Sequence, residues 1–303
     1  MTTDAPRLTV VTAPANPVWK IVRPILSHGL LLLASFLMLY PLLWMLAASF
    51  RPEAEIFSNN SLIPSEISLH GYISGWTGLS RTFDVFFLNS FMVSILCVIG
   101  NLAACSLTAF AFARLEFWGR KFWFALMLGT LMLPYQVVLI PQYILFLNMP
   151  PWLGGTASGW VNSFLPLIVP KYLAVDAFFI FLMVQFFRGI PRELDEAAQM
   201  DGCSPWRIYW RIMLPLSVPV LVTAGIFTFI FTWDDFFAPL IYLNDQKIYT
   251  ATLALRTFVD STAESNWSGL FAMSVLTVLP IFVIFVFFQR LLIEGIATTG
   301  MKR

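Results

Sequence analysis

Residues 196–215 read EAAQMDGCSPWRIYWRIMLP, the one well-charged and sharply punctuated segment in a chain otherwise dominated by apolar runs. Pro191 precedes it, and a first-turn proline sacrifices no helical hydrogen bond. Glu193, Asp195 and Glu196 then place negative charge at the positive end of a helix dipole. Gly202 reads as a helix stop, and Ser204 with Pro205 as the N-cap and first residue of a second helix. The stretch therefore predicts two short helices with a sharp corner at Gly202. On the first, Leu194, Ala197, Ala198 and Asp201 share one face, with Glu193, Glu196 and Gln199 or Met200 on another. On the second, Trp206, Tyr209, Trp210 and Met213 form an aromatic face, with Arg207 and Arg211 turned elsewhere. Such a helix–corner–helix can transmit a push as one body, and Glu196 can pair with a basic group on a partner. An ordinary amphipathic surface loop is the plainer reading of the same residues.

The surroundings of this segment set the fold class. The chain has 303 residues, of which 58% are hydrophobic and 12% charged, with thirty Phe and a mean hydropathy of +0.78. Soluble domains carry about 25% charged residues, so half that share argues for an all-α integral membrane protein. Six apolar stretches meet the length of about 20 residues that a bilayer core requires, at roughly 25–50, 85–113, 122–147, 163–187, 216–243 and 269–291. The first is too long for the apolar core of a signal peptide. Residues 1–24, rich in Pro, Thr and Ala in their first two-thirds, read as a disordered cytoplasmic tail. Residues 25–303 then make a six-span domain that carries the charged segment, at about 188–215, in its fourth connection. With the N-terminus inside, thirteen Lys and Arg fall on the cytoplasmic side and five outside. The positive-inside bias thus places Glu196 and both termini in the cytoplasm.

Several function classes find no support. A net charge of +1 offers no footprint for nucleic acid. Cys97, Cys105 and Cys203 make no disulfide framework, and His28 and His70 are isolated, so a metal site is not expected. Gly-Lys never occurs, which excludes a P-loop of the G-x-x-x-x-G-K-[ST] type. No cofactor is expected in this chain, and no nucleophile–base constellation marks it as an enzyme. The outer connections at 51–84 and 244–268 read either as plain loops or as docking surfaces for an external protein.

Polar residues at membrane depth are costly and suggest a pathway. Asp234 and Asp235, beside Trp233 in the fifth stretch, are carboxylate acceptors next to an indole. That combination suits a polyhydroxylated solute, whose hydroxyls donate to the carboxylates while its C–H face stacks on the ring. A helix-packing pair or interfacial anchor is the competing reading. Adjacent helical residues point about 100° apart, so one carboxylate can face the path while the other caps a broken turn. In the third stretch, Pro134 and Pro141 predict kinks near Gln136; a broken helix is what a translocation path uses, and a merely bent, well-packed helix is the competing reading. Lys171 and Asp176, five apart, should not share a helix face.

The residues from 196 to 215 also carry a resemblance. They are similar to the EAA motif of ABC-importer permeases, E-A-A, three residues, G, nine residues, I-x-L-P. Glu196, Ala197, Ala198, Gly202, Ile212, Leu214 and Pro215 fill its positions. Residues 37–52, 88–121 and 214–236, with the ending FQRLLIEGIATTGMKR, resemble the carbohydrate permeases of the maltose-transporter type. The resemblance implies a type I importer fold with six spans in a bacterial cytoplasmic membrane. It implies a second six-span permease, two copies of a cytoplasmic ATPase that hold ATP and Mg, and an extracytoplasmic solute-binding protein. Glu196 is then expected to contact the ATPase, Ala197 and Ala198 to allow close packing, and Gly202 to form the corner. Sugar permeases commonly carry Asn where this chain has Asp234. The alternative class is an ion-coupled secondary transporter using Asp234 or Asp235 as a proton site, which leaves the Glu196 segment unexplained.

Overall fold

The computed structural model describes residues 17–58, 61–156, 158–259 and 266–300. Those residues form helices and no strand, apart from one isolated bridge between Thr156 and Gly159. The first helix, α1 (Pro17–Ala48), starts inside the expected tail, whose residues 1–16 lie outside the described residues. After it come α2 (His70–Thr77) in the first long connection and α3 (Phe83–Arg114). The third stretch forms α4 (Arg120–Thr130) and α5 (Tyr135–Leu147). The fourth forms α6 (Leu165–Ile168), a 3₁₀ turn at Val169–Leu173, and α7 (Ala177–Gly189). The charged segment follows as α8 (Glu193–Met200) and α9 (Pro205–Ile208). A π-helical turn at Tyr209–Met213 leads on into α10 (Leu214–Leu216). Then come α11 (Val218–Trp233), α12 (Phe237–Tyr242), α13 (Ala251–Arg256) and α14 (Trp267–Gly300).

Among the described residues, four stretches are long and apolar enough to cross a membrane without a sharp bend: Val22–Ala48, Phe83–Arg114, Leu165–Gly189 and Trp267–Gln289. The other two expected spans are bent. The axis turns by 101° between α4 and α5, and by 78° between the Pro205–Leu216 helices and α11. At the first bend Pro134 caps α5 in an extended conformation, because proline donates no hydrogen bond and disfavours helix in the residue before it. Pro141, by contrast, stays inside α5. The fifth stretch, expected to run to 243, ends as a regular helix at Trp233 and resumes at Phe237. The fourth is interrupted at Ala174, which sits in the left-handed region at φ +55°.

The helix around which these parts assemble is α3. Its most apolar stretch is 44% buried, whereas that of α1 is not buried at all. One continuous core joins Cys105, Ala109 and Phe110 of α3 to Ile180, Met183 and Phe187 of α7, and reaches Ala224 of α11. Ser and Asn residues on α3 reach its neighbours through hydrogen bonds. Asn101 Nδ2 donates to Thr228 Oγ1 of α11 at 2.7 Å. Toward the Phe83 end, Asn89 Nδ2 donates to the Lys247 and Tyr249 carbonyls at 3.3 and 3.0 Å, and Ser90 Oγ accepts from the Ala251 amide at 2.8 Å. On that side α2 lies against α14 so closely that a Cβ at Gly71 would stand 2.6 Å from the Ser268 carbonyl oxygen. Glu53 binds the first amides of α14, accepting from Trp267 at 2.8 Å and Ser268 at 2.9 Å.

Candidate coupling segment and polar pathway

The corner at Gly202 has the form its sequence predicts. Gly202 adopts φ +76°, its amide donates to the Gln199 carbonyl at 2.9 Å, and the Cys203 amide donates to the Ala198 carbonyl at 2.9 Å. These two bonds are the Schellman closure of α8. Nothing lies within 4 Å of a Cβ built at Gly202, so glycine is required there by backbone conformation and not by space. Ser204 then caps α9, its hydroxyl accepting from the Arg207 amide at 3.4 Å, with Pro205 in the first turn.

The faces of the two helices differ from the expected ones. On α8 the buried residues are Asp195 and Ala198, while Leu194, Ala197 and Asp201 are exposed. An ion pair that the local sequence does not reveal draws Asp195 inward. Arg114, the last residue of α3, places its Nε 3.2 Å from Asp195 Oδ2, and its Nη2 donates to the carbonyls of Phe187 at 2.8 Å and Ile190 at 2.7 Å. Beyond the corner, Ile208, Tyr209 and Met213 are buried, while Trp206 and Trp210 are 58% and 53% exposed. Trp206 and Trp210, four residues apart, share the outward face, while Tyr209 and Met213, also four apart, share the inward one. Tyr209 Oη reaches Ser106 Oγ of α3 at 2.7 Å.

The segment thus has an anchored side and an open side. Ala198, Ile208, Tyr209 and Met213 belong to the main core, with Ile212 and Leu214 packed half-buried against it. Glu193, Glu196, Ala197 and Met200 face outward, as do Trp206, Trp210, Arg207, Arg211 and Pro215. Met200 is 88% exposed. Glu196 makes no hydrogen bond or ion pair among the described residues. Large apolar side chains flanked by charges of both signs are what a protein-docking surface offers.

The second group of candidates falls at the helix breaks. Asp234 ends α11 and is exposed. Asp235 is half-buried, and its Oδ1 accepts from the Ala238 amide at 3.2 Å, which caps the start of α12. One carboxylate is therefore open and the other spent on the backbone. Lys171 Nζ and Asp176 Oδ2 pair at 2.8 Å, contrary to the expectation from helical spacing, because the break at Ala174 lies between them. Lys171 and Tyr135, the residue that follows Pro134, both lie within electrostatic reach of Asp235. The helices beside the breaks at Pro134, Ala174 and Asp234–Phe236 share one cluster, in which Leu139 of α5, Leu165 and Leu167 of α6 and Ala238 of α12 pack together. Gln136 is exposed on the first turn of α5 and makes no hydrogen bond to either carboxylate. The stacking face expected of Trp233 is occupied. The indole is 1% exposed, packs on Phe91 at 4.6 Å and Phe229 at 5.5 Å, and donates from Nε1 to the Thr277 carbonyl at 2.9 Å. It joins α3, α11 and α14 and presents no ring face to a solute.

Residues 98–298 match the family described as the binding-protein-dependent transport system inner membrane component. The chain is 34% identical over 273 residues to the arabinooligosaccharides transport system permease protein AraQ of Halalkalibacterium halodurans, covering 88% of this chain and 92% of that one. It is 30% identical over 279 residues to the diacetylchitobiose uptake system permease protein NgcG of Streptomyces coelicolor, covering 92% and 88%. Among solved structures, a chain of a bacterial ABC transporter involved in the import of the acidic polysaccharide alginate superimposes with a TM-score of 0.77. That match is 19% identical and covers 92% of this chain and 99% of the other, which establishes likeness of fold.

Proposed function

Since the chain belongs to the family of binding-protein-dependent transport system inner membrane components, we propose that it forms half of the translocation path of an ATP-driven sugar importer. A second six-span permease supplies the other half. Two copies of a separate ATPase, holding ATP and Mg, drive the pair, and an external solute-binding protein delivers the cargo. The observation that carries this reading is the two-sided α8–corner–α9 segment. Its inner side is built into the core of α3 and α7, while its outer side offers Glu196, Met200, Trp206 and Trp210, with no partner for the Glu196 carboxylate among the described residues. A segment rooted in the spans and bare on its far side suits a part that is pushed from outside the membrane. Its orientation toward the cytoplasm rests on the thirteen-to-five distribution of Lys and Arg.

Mechanically, closure of the ATPases displaces the docking face, and the bends beside Ser217 and Pro134 are where the spans can change angle without breaking regular helix. The cavity alternates its access in consequence. Asp234, open at the break, is the group of this chain assigned to solute hydroxyls. Gln136 lies on the neighbouring broken span as a second polar contact. A sugar oligomer is the cargo class, by analogy with the relatives named for arabinooligosaccharides and diacetylchitobiose.

The experiment is purification of the tagged chain from its own membrane, with identification of the proteins that accompany it, for the native chain and for Glu196→Ala. The native chain should bring down an ATPase and a second six-span protein. Glu196→Ala should keep the second permease and lose much of the ATPase or of ATP-driven uptake. Co-purification and uptake at native level in Glu196→Ala would remove the coupling role, and a chain that purifies alone and still moves solute would remove the ABC reading.

A further inference from the structure

Arg114 ties three elements with one guanidinium. Its Nε is paired with Asp195 of α8 at 3.2 Å, and the two side chains are 5% and 13% exposed. Its Nη2 donates to the Phe187 and Ile190 carbonyls, at 2.8 and 2.7 Å, where α7 ends. Two helical turns earlier on α3, Ser106 holds the other arm of the segment through the 2.7 Å bond to Tyr209. Ser106 and Arg114 are eight residues apart and so lie close to one face of α3. Between these ties, Ala109, Phe110 and Ala113 lie in the same core as Phe187, Ile208 and Met213.

Stability alone is a poor reason for this arrangement. An enclosed ion pair is commonly no more stabilising than well-packed apolar residues of the same volume, and its best-attested use, seen in some proteins, is to set register. The two Nη2 hydrogen bonds and the Nε–Asp195 ion pair hold together only when the ends of α3 and α7 and the start of α8 stand in one relative position. An apolar contact would let them slide.

We infer that Arg114 is a positioning residue that locks both arms of the Glu196 segment, with Asp195 and the Ser106–Tyr209 pair, to α3 and α7, so that segment and spans move as one body. The inference rests on reading the segment as the ATPase contact. A displacement delivered at Glu196 reaches α3 without loss, and α3 has no break along its 32 residues. The bends elsewhere absorb the change of angle.

The test uses the assembled transporter in lipid nanodiscs, without nucleotide and trapped with MgATP and vanadate. Two quantities are read. One is the distance distribution between spin labels at the exposed positions Asp201 and Leu107, with Cys203 replaced by Ser. The other is the change in hydrogen-exchange protection that trapping produces in the far half of α3, residues 83–98. The native complex should give one narrow distance in both states and a clear change in protection. Arg114→Gln should broaden the distance and cut the protection change by about fivefold or more, the lower edge of usual coupling free energies, while vanadate still traps nucleotide. A narrow distance with the full protection change overturns the inference.

If Arg114→Gln fails to assemble, Arg114→Lys and Tyr209→Phe decide by the same readings. Tyr209→Phe strands no donor, because Ser106 Oγ also donates to the Leu102 carbonyl at 2.5 Å. Native readings in both variants overturn the inference. Glu196→Ala run in parallel separates the two ideas. A native response there, with loss in Arg114→Gln, removes the ATPase contact at Glu196 and leaves the lock. The reverse pattern removes the lock.

Discussion

Replacing Gly202 by Ala isolates the contribution of the corner. At φ +76°, an L residue with a side chain is held in the left-handed region, which costs about 1–2 kcal/mol. The added methyl meets nothing within 4 Å, so no steric term joins the backbone one. Losing glycine's extra freedom in the opened segment returns about 0.4–1 kcal/mol. The net expectation is a destabilisation of about 1 kcal/mol, confined to the closure of α8. The assay is hydrogen exchange of the amides of Gln199–Cys203 in the assembled complex, where Gly202 and Cys203 donate the two closing bonds. At RT of about 0.59 kcal/mol, a loss of about 1 kcal/mol raises their exchange roughly fivefold. Gly202→Asn, which tolerates this region better, should fall between native and Ala, and Gly202→Val should exceed Ala because a β-branched side chain is worse there. Unchanged protection in Gly202→Ala, or Asn more damaging than Ala, would refute the argument that conformation alone demands glycine at the corner.

Gly71→Ala should act by the opposite cause. A Cβ there meets the Ser268 carbonyl oxygen at 2.6 Å and its carbon at 2.9 Å, both backbone atoms of α14. Forcing α2 off α14 should cost about 1–3 kcal/mol, read as a lower apparent unfolding temperature and faster exchange over 70–77; native values would show that α2 is free to shift. Trp233→Phe should lose about 1 kcal/mol with the hydrogen bond to Thr277, leaving uptake per assembled complex nearly native. Asp234→Ala, at an exposed position, should change stability by no more than about 0.5 kcal/mol and yet reduce uptake. Uptake that follows stability equally in both variants would leave Asp234 no place on the pathway.

What the sequence discloses here is local. Gly202, Ser204 and Pro205 state the corner outright, since each acts on its own backbone or that of a near neighbour. The six apolar stretches announce themselves through length, and Pro134 its break through a missing donor. Residues that depend on distant partners stay hidden. Arg114 and Asp195 are separated by 80 intervening residues, and Arg114 reads only as one more positive charge at a helix end. A basic residue at the last position of a buried helix, with unpaired carbonyls to satisfy nearby, was the available signal. Helical angles do not relate Lys171 to Asp176 because a break lies between them, and a left-handed alanine at 174 announces nothing. Trp233 beside two carboxylates suggested a stacking platform, yet Phe87, Phe91 and Phe229 enclose it. The core takes in Tyr209 and Met213 beside Ser106 and Phe110 of α3, so Trp206 and Trp210 fall on the open side, a choice set by a distant helix and not by the local sequence.

At 1.5 Å per residue the 32 residues of α3 measure about 48 Å, against a hydrocarbon layer of about 30 Å. Even tilted by the usual 20° or so, the helix overshoots that layer by roughly 15 Å. The side-chain ties nearest its ends, Asn89 and Ser90 at one and Arg114 at the other, therefore sit near or beyond the edges of the oil, where water-borne proteins can reach their surroundings. A single piece of covalent chain is thus longer than the barrier is thick. Events on the two aqueous faces can meet on the same helix without any group being carried through lipid.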